Sequence, residues 1–148
     1  MKTIFEPSVR EAFLSRIDTL TQDHQSNWGK MNAYEMLAHG VQSEDMMQGR
    51  LVIKRVMIGR LIGKMVLNKV LRADAPFDKH SPTSPHLKTL GKTGDFDQER
   101  EAWKQRIADY GTWNGTYIMH PFFGKMSRGQ IGRFVYKHID HHLRQFGV

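Results

Sequence analysis

No cysteine occurs in the 148 residues. That excludes a disulfide framework and a thiolate metal site. Any metal must bind through nitrogen and oxygen, and any nucleophilic thiol must arrive with a substrate. The start, MKTIFEPSVREAF, lacks the apolar core of a signal peptide, so a cytoplasmic protein is expected. Internal repeats, coiled-coil heptads and the GxGxxG, P-loop, G-x-S-x-G and H-E-x-x-H patterns are also missing. No run of alternating apolar and polar residues marks a strand. Acids are the minority charge, 15 against 22 lysines and arginines, giving a net +7. This allows an acidic partner or substrate. The cations are not interleaved with aromatics in a nucleic-acid-binding motif, so no nucleic acid is expected. The length fits a single domain, 1–148, burying roughly 68–70% of its unfolded surface.

The most informative stretch is the last helix, Ser127 to Phe146, SRGQIGRFVYKHIDHHLRQF. Ser127 with Gln130 three residues on is a capping box. Ile131, Phe134, Val135, Ile139 and Phe146 follow at helical spacing. His138 and His142 lie about 40° apart on the wheel, inside that apolar stripe. Their Cβ atoms are then roughly 5–6 Å apart, close enough to share one ion at about 2.0–2.1 Å per bond. The bland alternative is a pair of core histidines satisfied by hydrogen bonds. His141 falls at the edge of the stripe, and Asp140 on the opposite side.

Three further helices are expected. One runs from about Ser8 to Leu20, with Ser8 and Glu11 as a capping box and Phe13, Ile17 and Leu20 inward. A polar connection follows, in which Trp28 reads as a core anchor. A second helix starts at the N-cap Asn32, with Glu35 as its box partner. Tyr34, Leu37, Ala38 and Val41 form its stripe, and Asp45 falls on the same stripe. His39 lies to one side, between a half-exposed position and a cavity lining; the wheel favours the surface. The third runs from about Asp95, its cap, to Tyr110, burying Phe96, Trp103, Ile107 and Tyr110.

Arg50 to Arg72 carries seven basic residues, no acids, and apolar residues all round the wheel. Its charges rule against a membrane span, and their scatter against a membrane-surface helix, so no membrane is expected. Apolar faces on many sides imply a second subunit or a covering loop, and a homodimer is expected. Gly59 and Gly63 permit a close crossing or a break. Ala73 to Gly94 is a long Pro/Gly loop of the kind that covers functional sites. His80 and His86 in it read as surface residues. The connection GTWNGTYIMHPFFGKM is too apolar for an idle loop and should fold back over the end of the helices. His120 within it is a satisfied buried histidine or a pocket residue, the former favoured.

Met36-Leu37-Ala38-His39 after Trp28, together with His138-x-x-x-His142 and the tail HPFFGKMS…YKHIDHHLRQFG, resembles the DinB/YfiT-like superfamily of metalloenzymes across nearly the whole chain. The resemblance implies an all-α four-helix bundle, here with an added helical stretch and a long loop between bundle helices two and three. It implies His39, His138 and His142 as ligands of one divalent ion: zinc or nickel first, iron or copper as alternatives. It further implies a small-molecule substrate and a low-molecular-weight thiol cosubstrate in an S-transferase-like reaction. Metal-assisted hydrolysis and a non-enzymatic bundle are the other readings. Gln145, beside His138 on the wheel, and Asp45 are candidates to orient a ligand imidazole.

Overall fold

A computed structural model describes residues 2–72, 76–79 and 84–148. The described residues form five α-helices: α1 (Pro7–Asp18), α2 (Ala33–Met47), α3 (Met57–Arg72), α4 (Phe96–Ala108) and α5 (Arg128–Gln145). Single 3₁₀ turns occupy Pro85–Leu87 and Asp109–Gly111. Two short strands, β1 (Tyr117–His120) and β2 (Gly124–Ser127), pair antiparallel with Tyr117 opposite Ser127 and His120 opposite Gly124. The expectation of an all-α four-helix bundle is therefore corrected: the fold mixes helices with a two-stranded sheet. The alternation that makes the hairpin is real in burial, Ile118 and His120 inward, Tyr117 and Met119 outward. It is invisible in hydropathy, because YIMH carries no charged residue on its outer face.

Most helix starts follow the sequence signals. Asn32 accepts from the Glu35 amide at 2.8 Å while Glu35 reaches back to the Asn32 amide at 2.9 Å. Ser127 and Gln130 form the same reciprocal pair, so the residue that ends β2 also opens α5. Asp95 accepts from the Gln98 amide. The Ser8–Glu11 box does not form. Pro7, whose fixed φ suits the first helical position, starts α1 one residue earlier and places Ser8 inside it.

α1, α2, α4 and α5 pack on one another around a shared core. Trp103 and Ile107 of α4, Met36 and Leu37 of α2, Ile17 of α1, and Ile131, Ile139 and Leu143 of α5 are all fully buried there. Each such side chain stabilises the fold by about 1.5–3 kcal/mol relative to exposure. α3 packs instead against β2 and α5. The segment before it, 51–56, is irregular rather than helical. Of the described helices, none is long and apolar enough to cross a membrane.

Wheel reasoning fails where a helix is covered on more than one side. Eleven residues of α2 are buried, His39 among them at 3% exposure, which overturns its surface assignment. The cause is the loop ahead of α4. Thr89 Oγ1 donates to the Glu35 carbonyl at 2.7 Å, the Gly91 amide donates to the Glu35 carboxylate, and the Pro85–Leu87 turn lies over His39. Asp140, placed on the outer side of α5, is likewise buried. Arg16 of α1 pairs with it at 2.8 Å and Arg144 at 2.7 Å.

Candidate metal centre

α2 and α5 bring three imidazoles together. His39 Nε2 lies 3.3 Å from His138 Nε2, and His142 Nε2 lies 3.2 Å from the same atom. All three ligand atoms fall within 4.8 Å of one another. Two nitrogens bound tetrahedrally at about 2.0–2.1 Å stand roughly 3.3 Å apart, which matches both close pairs. The third separation has to close towards the same value for one ion to be held by all three. His39 and His142 are buried, and His138 is half-buried.

The hydrogen bonds behind the rings decide what faces inward. His39 Nδ1 is 2.9 Å from the Leu87 carbonyl oxygen. A carbonyl only accepts, so Nδ1 carries the proton and Nε2 presents a bare lone pair. His142 Nδ1 is 2.9 Å from Gln145 Oε1. The amide orientation follows from its other end, where Gln145 Nε2 donates to the Trp28 carbonyl at 2.7 Å. His142 Nδ1 is thus also a donor, and its Nε2 is also bare. A single N–H on His138 Nε2 can serve only one of the two lone pairs aimed at it. In a neutral triad at least one buried acceptor is left without a donor, at a cost of about 1–3 kcal/mol. A cation at the point of convergence satisfies all three.

Electrostatics point the same way. Burial lowers the pKa of His39, and lowers those of His138 and His142 well below the usual value; repulsion from His141 adds at His39, from His142 and His39 at His138, and from His39 and His141 at His142. The bond to Leu87 opposes the shift at His39, and that to Gln145 opposes it at His142. All three rings are therefore held in the neutral form that binds metal. The donor set, three imidazoles without thiolate, suits zinc, nickel, iron or copper.

The other candidate residues fall as follows. Gln145 stands behind His142. His120 does not join the triad: its Nδ1 accepts from the Phe122 and Phe123 amides, each at 3.1 Å, and locks the hairpin turn. Burial pushes its pKa down to about 4. Asp45 orients no imidazole. Its carboxylate accepts from Arg106 Nε at 2.6 Å and pairs with Arg50 at 3.4 Å. His141 turns away from the ion position, bonded to the Phe77 backbone and edge-on to the Trp28 ring at 5.5 Å. His86 is exposed, and His80 lies outside the described residues.

Sequence reasoning missed three contributors. The Leu87 and Trp28 carbonyls leave no mark, because every residue carries one. Phe77 packs 6.4 Å from His138 and 5.3 Å from Phe134, and Phe134 stacks on His138 at 6.0 Å. These rings give the site an apolar wall. Only the long loop containing Phe77 and Leu87 signalled a cover.

No curated protein and no solved structure matches the chain. Residues 7–147 match a family described as a protein of unknown function, DUF1569, a span that contains all three histidines and both carbonyls behind them. The chain belongs to the DUF1569 family.

Proposed function

We propose that this protein is a metal-dependent enzyme in which His39, His138 and His142 hold one divalent ion with at least one coordination position open. The observation that carries this reading is the pair of outward hydrogen bonds, His39 to Leu87 and His142 to Gln145, which leave two bare Nε2 lone pairs aimed at a third nitrogen. Three protein ligands, rather than four, are the set of a catalytic rather than a closed structural site. Such an ion supplies Lewis acidity to a water or thiol near neutral pH.

The chain's own part is to orient and to exclude water. Leu87 and Gln145 fix two rings, and Phe77 and Phe134 keep an apolar surface beside His138. With no cysteine in the chain, a thiol nucleophile must be a cosubstrate. The resemblance to DinB/YfiT-like proteins supports a low-molecular-weight thiol and an S-transferase-like reaction on a small electrophile. Zinc and nickel are the ions to supply first.

Turnover of an electrophile panel by metal-loaded protein, with and without low-molecular-weight thiols, tests this. The expected result is thiol-dependent turnover that is lost in His138→Ala. Turnover of esters or amides that needs metal but no thiol would transfer the reaction to water. Inertness towards every substrate by protein carrying its ion would refute an enzymatic role.

A further inference from the structure

α3 turns its glycines inward and four large apolar side chains outward. Gly59 and Gly63, one turn apart, rest on the backbone of Phe122, and a Cβ at either would collide with the Phe122 carbonyl oxygen. The Val56 amide donates to the Pro121 carbonyl at 3.0 Å and ties the start of the helix to the same hairpin turn. On the opposite side Leu61 is 82% exposed, Met57 75%, Met65 66% and Ile58 55%. At about 100° per residue these four fall within one arc of roughly 100°. A contiguous apolar stripe of this kind marks an interaction surface.

Cations border the stripe. Arg60 and Lys64 run along one edge, Lys69 along the other, and Arg72 closes its C-terminal end. None of the four is in an ion pair among the described residues, and no acid occurs from Arg50 to Arg72. Past Lys64 a groove continues onto the outer face of the hairpin, where Lys125 sits 4.5 Å over the half-exposed Tyr117 ring. The isolated segment looked apolar on every side with scattered charge. With Gly59, Gly63, Leu67 and Leu71 buried, the remaining surface is a basic amphipathic helix.

The charge selects the occupant. A second copy packed on this face by a two-fold axis would set rows of lysine and arginine against identical rows, with no carboxylate in the segment to relieve them. An anionic lipid surface complements both parts of the pattern. The stripe enters the acyl boundary, the cations meet headgroup phosphates, and lysine stems cover the apolar margin. Sixteen residues give a helix of about 24 Å that lies flat and is not required to span. We propose that α3 docks the protein on anionic phospholipid membranes, with Tyr117 and Lys125 extending the footprint.

Cosedimentation with phosphatidylcholine vesicles, with and without phosphatidylglycerol, tests this on the full chain. Binding is expected only with the anionic lipid and should weaken with salt. Leu61→Glu, at an exposed site that leaves the fold intact by circular dichroism, should lower partitioning by at least about tenfold. Lys64→Gln and Lys69→Gln should each lower it by about fivefold. Failure to bind anionic vesicles overturns the proposal, as does binding unchanged in Leu61→Glu. A dimer mass in light scattering that Leu61→Glu converts to monomer assigns the face to a second copy. Binding of polyglutamate but not of vesicles assigns it to an acidic protein segment. Either result also overturns the proposal.

Discussion

Gln145 offers a perturbation that separates shape from chemistry. Its amide links His142 Nδ1 to the Trp28 carbonyl, at 2.9 and 2.7 Å. Gln145→Leu removes both bonds at similar volume. The buried Nδ1–H then has no acceptor, which costs about 1–3 kcal/mol. The ring is also free to move its proton to Nε2, which faces the ion. Losing such an outer partner lowers metal affinity by about 10–100-fold, or roughly 1.4–2.8 kcal/mol. Gln145→Glu keeps an acceptor for Nδ1–H and makes it anionic, while losing only the donor to Trp28. Its metal affinity should equal or exceed that of the native protein, even though its thermal stability falls. Competition against a chelating dye for zinc at neutral pH, paired with thermal melts of the metal-free proteins, reads both quantities. Native zinc affinity in Gln145→Leu would refute the reasoning. So would equal losses in the two variants, because packing alone would then explain Gln145.

Two further outcomes follow from groups around the site. His141→Ala should retain stoichiometric metal and lose only the bond to the Phe77 backbone and the packing against Trp28 and Phe77, about 1–3 kcal/mol of stability by denaturant unfolding; metal loss equal to that of His142→Ala would contradict the assignment. Glu44 is fully buried, accepts from the Tyr110 hydroxyl at 2.5 Å, and has its pKa raised to about 8, chiefly by burial. The folded protein keeps this proton up to about pH 8, whereas the unfolded chain releases it near 4.5. The folded state therefore binds more protons in that window, and stability falls as pH rises through it. Between about pH 6.5 and 8 the loss is about 2 kcal/mol, and Glu44→Gln should abolish that slope in urea titrations at several pH values. A slope unchanged by the substitution would show that Glu44 is ionised in the fold.

The helix starts at Ala33, Phe96 and Arg128 were legible because their caps are local chemistry: Asn32, Asp95 and Ser127 need only the next turn of chain. The His138–His142 pair was legible for the same reason, since i, i+4 spacing fixes proximity within one helix. His39 was not readable from its own wheel. It is buried by a loop some fifty residues later, and only the resemblance joined it to the pair. The hairpin escaped because its outward positions, Tyr117 and Met119, are apolar, so a two-residue period in burial left none in hydropathy. Asp45 was misread because a charged residue on an apolar stripe suggested a ligand partner. Arg106, from a helix sixty residues on, neutralises it instead.

Zinc titration of four metal-free proteins tests the central claim most directly: the native chain, His39→Ala, His138→Ala and His142→Ala, each followed by X-ray absorption at the zinc edge. The native chain should bind one equivalent with three imidazole nitrogens at about 2.0–2.1 Å and at least one further light atom. Each variant should lose tight binding. Native protein that takes up no zinc, nickel, iron or copper, or a variant that binds zinc as tightly as the native chain, would contradict the triad as a metal centre.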